Sequence, residues 1–492
     1  MNTATSSSIV RRFRLAALTL AIALPALVNA ATDTPEGAPQ ATSASVYADA
    51  IGSSRFERSG IRVEQGYTVE SGNLYTRDGK TGSLVVVRSP DGAVTAIVDN
   101  PGKRGLLMVD AQGKSTFKED LPYDYMTPDT VESAEVPSLA ASKPPSSEPR
   151  YIDMLVGYSA NALARLNADP VAYALAQLET ANLGLRNSRV ENLSLRLVGV
   201  NVFNLNESVE DITEMQLIMW KSKLKTYRDK YGADVIAAYA VGKSGIGGIA
   251  TLGGDASLNS WRLPTAFRHE IGHNAGGAHC NDNPANYNFG YNNGKTSTIL
   301  CGNSSPYYST PAVSDDHGLP LGNAQTADMA RVWRENAARL TGYRAELPGM
   351  RMILVSPTGT DPSVTARLSI PIGAGIDAGV VALDSATGPT QLVPYVQNSE
   401  SRLNVKLLDG GGWREFDVTF LARRIRGSCR SEMNSGTECT GDANVELELS
   451  YLPGGDNASL PSGYYNGFLQ LEARRPNSDW KLPINIGISV WK

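Results

Sequence analysis

The chain has 492 residues, more than one hydrophobic core usually serves, so two or three domains are expected. A net charge of −5 and a pI near 5.6 exclude the basic footprint of a nucleic-acid binder. The hydrophobic share of 41%, with 47 glycines and 27 prolines, fits a globular, loop-rich protein.

Residues 1–30 read as a secretory signal peptide. Arg11, Arg12 and Arg14 precede an apolar run from Leu15 to Val28, which Pro25 interrupts, and Val28-Asn29-Ala30 supplies small residues for cleavage. The Arg11-Arg12 pair leaves a twin-arginine route open beside the general secretory one. No other stretch reaches the roughly eighteen apolar residues that a spanning helix needs. An exported protein without a membrane span, secreted or periplasmic, is expected.

Residues 31–149 read as a β-rich propeptide. The runs SLVVVRS, AVTAIVD and GLLMVDA are split by the turns PDGA and NPGKRG. The stretch ESAEVPSLAASKPPSSEPR then reads as an exposed linker, with a maturation cut expected between 135 and 150. A plain linker to a retained accessory domain is the alternative.

Residues 150–346 alternate strand and helix, as an α/β domain does. Strands are expected at Ile152–Val156, Leu193–Phe203 and Asp234–Ala240. One helix, capped by Asp169, should run from Pro170 through Ala181. A second is expected over about Val209–Tyr227, with Ile212, Met215, Met219 and Leu224 on one side. A third starts near Pro264 and packs Phe267, Ile271 and Ala275 into the core. A last helix over about Ala324–Tyr343 closes the domain. Residues 347–492 read as all-β, a β-sandwich-like accessory domain, because REFDVTFLA, NVELELSYL and LPINIGISVW alternate at period two. A binding or positioning role is expected for it.

The chemistry concentrates in HEIGHNAGGAH, residues 269–279, which holds three of the four histidines. It has the pattern H-E-x-x-H-x-x-G-x-x-H. His269 and His273 are four apart, so on a helix they share one face and reach one ion. Gly276 lets the chain leave the helix, and His279 returns from another direction. Three imidazoles leave one corner of a zinc site vacant, as in catalytic sites. Glu270 is placed as general base, taking the proton of a zinc-bound water. The implied activity is a zinc-dependent endopeptidase acting on proteins or peptides. The alternative is a non-catalytic adhesin or binding protein that keeps the scaffold.

His317 lies in the polar turn SDDHGLP and reads as a solvated loop residue. Asp315 and Asp316 beside it make Ca2+ conceivable but unsupported. Cys280, Cys301, Cys429 and Cys439 suggest two disulfides in an exported chain, most simply Cys280–Cys301 and Cys429–Cys439. Cys280 as a metal ligand is the alternative for that residue. All four follow His279, so no thiol of the propeptide is available to block a metal. The sequence carries no signal for an oligomeric state.

The motif and its flanks resemble the metzincins, in their reprolysin-like (adamalysin-related) branch of secreted bacterial proteins. The likeness runs over roughly 150–346, through YIDMLVGYSANALARL, ADVIAAYAVGKSGIGGIATLGG, LPTAFRHEIGHN and SPYYSTPAVSDDHGLPLGNAQTADMARVW. It implies a zymogen with a mixed sheet and an active-site helix, His269, His273 and His279 as zinc ligands, and Glu270 as base. It also implies that Gly245–Gly254 is an edge strand on which substrate adds as an extra strand, a flexible loop being the other reading. Tyr307 and Tyr308 either line the specificity pocket or pack internally. Two positions depart from the family pattern. Leu300 stands where the methionine of the turn below the metal is expected, and Cys280 where an aspartate usually follows the third histidine.

Overall fold

A computed structural model describes residues 52, 54–132, 148–346 and 351–492, with short interruptions. The expected signal peptide and most of the linker lie outside the described residues.

The N-terminal segment folds as a six-stranded antiparallel meander: β1 (Arg55–Glu64), β2 (Tyr67–Tyr75), β3 (Thr81–Arg88), β4 (Val94–Asn100), β5 (Lys103–Val109) and β6 (Ser115–Glu119). Gly92 and Gly102 make its tight turns at φ 91° and 87°, where a side chain would be strained. Alternation splits the strands. Leu84, Val86, Val98 and Leu107 form a cluster of their own, while Val85, Val87, Ile97 and Leu106 join the main core.

The middle of the chain builds a second six-stranded sheet from β7 (Thr130–Glu132), β8 (Arg150–Ser159), β9 (Leu193–Phe203), β10 (Val235–Ala240), β11 (Gly248–Leu252) and β12 (Ala256–Ser260). The order is β7-β11-β12-β10-β8-β9. β8, β9, β10 and β12 run parallel, and β11 is antiparallel to β12. β7 comes from the N-terminal segment and pairs parallel with β11.

Helices α1 (Ala160–Leu166) and α2 (Pro170–Asn187) follow β8. The Asp169 carboxylate accepts from the amides of Val171 and Ala172, as expected of its cap. α2 outruns its expected end at Ala181, because Leu183 and Leu185 are still buried. It is buried on nearly every face, with β9 on one side and β2, β3 and β4 on the other.

α3 (Glu214–Tyr231) departs from expectation in register and in face. Thr213 caps it and Gly232 ends it at φ 63°. Leu217, Trp220, Leu224, Tyr227 and Tyr231 face inward at helical spacing, whereas Met215 is 74% exposed. Of the expected face, Ile212 and Leu224 are buried and Met219 packs against the same core, while Met215 points to solvent and Ile212 precedes the helix. α4 (Ala266–Asn274) carries the motif, and Phe267, Ile271 and Ala275 are buried. α5 (Met329–Leu340) is shorter than expected, because Asp328 caps it while Asn323–Ala327 forms a turn.

Among the described residues between Arg351 and Trp491, nine strands belong to one hydrogen-bonded network, mostly antiparallel. It packs on β9 and α3. Ser489 Oγ donates to Val200 O at 2.9 Å, Asn466 Nδ2 to Val202 O at 2.8 Å, and the Phe468 ring lies tilted 4.8 Å from that of Tyr231.

Candidate metal centre

α4 places His269 and His273 one turn apart, and Gly276, at φ 109°, releases the chain from the helix. Ala278 then pairs with Asn288 and Gly290, which turns His279 back toward the helix. His269 Nε2 lies 3.0 Å from His279 Nε2 and 3.1 Å from His273 Nε2. His269 Nδ1 faces Ile299 O at 2.7 Å, and His273 Nδ1 faces Gly277 O at 2.8 Å. A carbonyl oxygen only accepts, so both Nδ1 atoms carry the hydrogen and both Nε2 atoms present lone pairs. Burial pulls the His269 imidazolium down to about 4, so this ring is neutral at neutral pH. Lone pairs converging with no proton between them repel unless a cation sits among them. The donor set therefore fits a metal ion, and nitrogen donors of this kind suit zinc.

The floor of the site is the turn Thr298–Cys301, closed by Cys301 N donating to Thr298 O. Leu300 is fully buried there against Gly272 and Gly277. Cys280 and Cys301 form a disulfide, which ties the His279 segment to this turn and rules Cys280 out as a ligand. Cys429 ends a strand and Cys439 lies outside the described residues, so their pairing is not described.

Sequence reading missed Asp129. Its main-chain carbonyl accepts from Ala250 N at 2.9 Å, in step with the β7–β11 pairing. Its Oδ2 then lies 3.2 Å from His269 Nε2, and its Oδ1 lies 3.2 Å from both His273 Nε2 and His279 Nε2. Neither oxygen makes a hydrogen bond, as expected when it faces lone pairs. The Asp129 side chain is fully buried and His279 only 18% exposed, so the N-terminal segment closes the site. Asp120, Asp124 and Glu132 crowd the same stretch, and nothing local in the sequence singles out Asp129.

Glu270 lies against β11, where a Cβ on Gly248 would overlap its carboxylate. Neither of its oxygens has a hydrogen-bond partner. Burial first, and the Asp129 charge second, hold this carboxyl well above the usual carboxylate range. Tyr125, also from the N-terminal segment, sits 5.3 Å ring to ring from His269, with its hydroxyl 2.9 Å from Thr265 Oγ1. Tyr308 is packing: it is fully buried and its hydroxyl donates to Arg268 O at 2.7 Å. His317 is exposed, and its ring lies beside the Gly79 turn. Asp315 accepts from Asn293 Nδ2 and Thr296 Oγ1, which makes it a loop anchor.

No family profile matches the chain. It is similar to two bacterial proteins. A peptidyl-Asp metalloendopeptidase of Stenotrophomonas maltophilia is 28% identical over 54% of this chain and 72% of its own. One of Xanthomonas campestris is 27% identical over 57% of this chain and 77% of its own. Among solved structures, a chaperone–substrate complex aligns with 53% of this chain and 41% of its own at 21% identity and a TM-score of 0.36. Metalloproteinase-II from Bacteroides fragilis aligns with 49% of this chain and 77% of its own at 10% identity and a TM-score of 0.33. The chain is a distant relative of metalloendopeptidases.

Proposed function

We propose that the chain is an exported zinc endopeptidase kept latent by its own N-terminal segment, and that it cuts polypeptides at aspartyl positions, as the names of its two relatives state for them. The observation that carries this reading is the convergence of three imidazole Nε2 atoms beside a buried carboxyl group with no hydrogen-bond partner. His269, His273 and His279 would hold the ion. Zinc supplies Lewis acidity there and makes water a usable nucleophile at neutral pH. Glu270 takes the proton of the attacking water and returns it to the leaving amine. β11 offers its free main-chain groups to the substrate once β7 has left. Until then the Asp129 carboxylate, 3.2 Å from all three Nε2 atoms, would join the histidines in holding the ion, and β7 occupies the edge that substrate needs. An adhesin that had lost catalysis would have no use for Glu270, whose partnerless burial is costly.

Metal analysis of the purified protein should find one zinc. Glu270→Gln should keep that zinc and lose about 10²–10⁴-fold in casein cleavage. Removal of residues 54–132 should give activity that the uncut full chain lacks. A Glu270→Gln variant cleaving at the wild-type rate refutes the base assignment. Absence of zinc refutes the reading as a whole.

A further inference from the structure

Arg268 precedes the first histidine and is fully buried. Its Nε donates to Asn303 Oδ1 at 2.7 Å and its Nη2 to Asn303 O at 3.3 Å. Its carboxylate partner comes from outside residues 150–346: Nη2 donates to Asp99 Oδ2 on β4 at 2.5 Å, and Nη1 reaches Ser83 Oγ on β3 at 3.4 Å. Arg104 of β5 completes the plug, on Asp99 and on Thr265 Oγ1. Tyr125 spans the distance from Thr265 to the ring of His269. A chain of contacts therefore leads from His269 through Tyr125, Thr265, Arg104 and Asp99 to Arg268, and Tyr125, Arg104 and Asp99 in it belong to the N-terminal segment. Withdrawing that segment leaves a guanidinium held by Asn303 with its anion gone. A cation fixed in place without its counter-charge favours a ligand that restores one.

We infer that Arg268 is the specificity-determining residue of the cleft, and that it binds the carboxylate of an acidic substrate side chain in the place Asp99 holds here. This rests on the endopeptidase reading above. Arg268 touches the substrate side chain and takes no part in bond making. Asp99 is then a stand-in for the substrate's acid, and Arg104, which neutralises it in this form, departs with it.

The test uses the processed form recovered from expression of the full chain. Four peptides differ at one position only, carrying Asp, Glu, Asn or Ala. The wild type should favour an acidic peptide over the Asn peptide by about 100-fold in kcat/KM, the scale of a charged hydrogen bond made to a buried group. The Asp and Glu arms show which acid the depth of the site suits. Arg268→Gln should collapse the acid-to-Asn ratio toward one, and Arg268→Lys should keep part of it. The same ranking should appear in Kd values measured with the inactive Glu270→Gln form, free of any effect on turnover. Retained zinc and an unchanged melting curve certify the fold of each variant. If Arg268→Gln does not fold, Arg268→Lys decides, since loss of the planar fork must still lower the ratio at least tenfold. A preference that survives the Arg268 substitutions, or a wild type that cuts all four peptides alike, overturns this inference and leaves the endopeptidase intact. A wild type that cuts none of them, nor casein, refutes the endopeptidase reading itself.

Discussion

The N-terminal and C-terminal sheets are both all-β and both pack on the middle of the chain, yet they attach by different physics. The C-terminal sheet meets β9 and α3 through Asn466, Ser489 and Phe468, with Lys223 donating to Gly411 O at 3.4 Å and Lys230 over the Phe468 ring. The N-terminal sheet adds ion pairs to its apolar face. Arg62 pairs with Glu179 on α2, Asp99 with Arg268 on α4, and Asp129 lies against the histidines. Ion pairs that cross a boundary stabilise only while both partners are present, and they leave a charge behind when one goes. The segment that the proposed function would remove is the one held by ion pairs.

Glu179→Gln should break this contrast most. The fully buried Glu179 carboxylate accepts from Ser71 Oγ at 2.5 Å and from Arg186 at 2.6 Å, and it also pairs with Arg62. Removing its charge should loosen the N-terminal segment by about 2–3 kcal/mol, below the cost for a fully buried pair because both arginines are about one-third exposed. Limited proteolysis should then release residues 54–132 faster, with the C-terminal sheet unaffected.

Asn466→Ala is the matching change on the other side. It removes the bond to Val202 O and should lower the stability of that interface by about 1–2 kcal/mol. The peptide cleavage rate of the folded enzyme should not change, and a fall in kcat/KM would show that the C-terminal sheet acts on the cleft.

The smallest effect is in pH. Burial pushes Glu179 up, but Arg62 and Arg186 outweigh it and bring it to about 2, below its ordinary 4.5. Its contribution is therefore present above about 4.5 and lost as pH falls through about 2. Asp120 shifts the other way: burial raises it from 3.8 to about 7. Docking favours its protonated form, so its penalty grows as pH rises from about 4 to about 7 and is complete above that. The segment should be held best near pH 4–5 and leave most readily at about pH 7 and above. Release after nicking in the 133–147 linker, followed against pH, checks this, and Asp120→Asn should flatten the alkaline limb.

Local chemistry made several features readable. Asp169 before Pro170, the strand Leu193–Phe203 and the valine-rich runs around 85, 97 and 106 all act within a few residues of themselves. The convergence of the histidines was also readable, because i, i+4 spacing and a glycine exit are set by helix geometry. α3 was misread because apolar residues ring it, and only the neighbouring strands select the face through Trp220.

What the amino-acid order determined by itself was the metal-binding pattern, its acid neighbour and the strands and helices that carry them, since these depend on spacing along one chain. What the tertiary structure alone decided was who faces whom across distance. Asp129 meets histidines about 140–150 residues further on, and Asp99 meets Arg268 at a separation of 169, through sheet pairing and packing that leave no local trace.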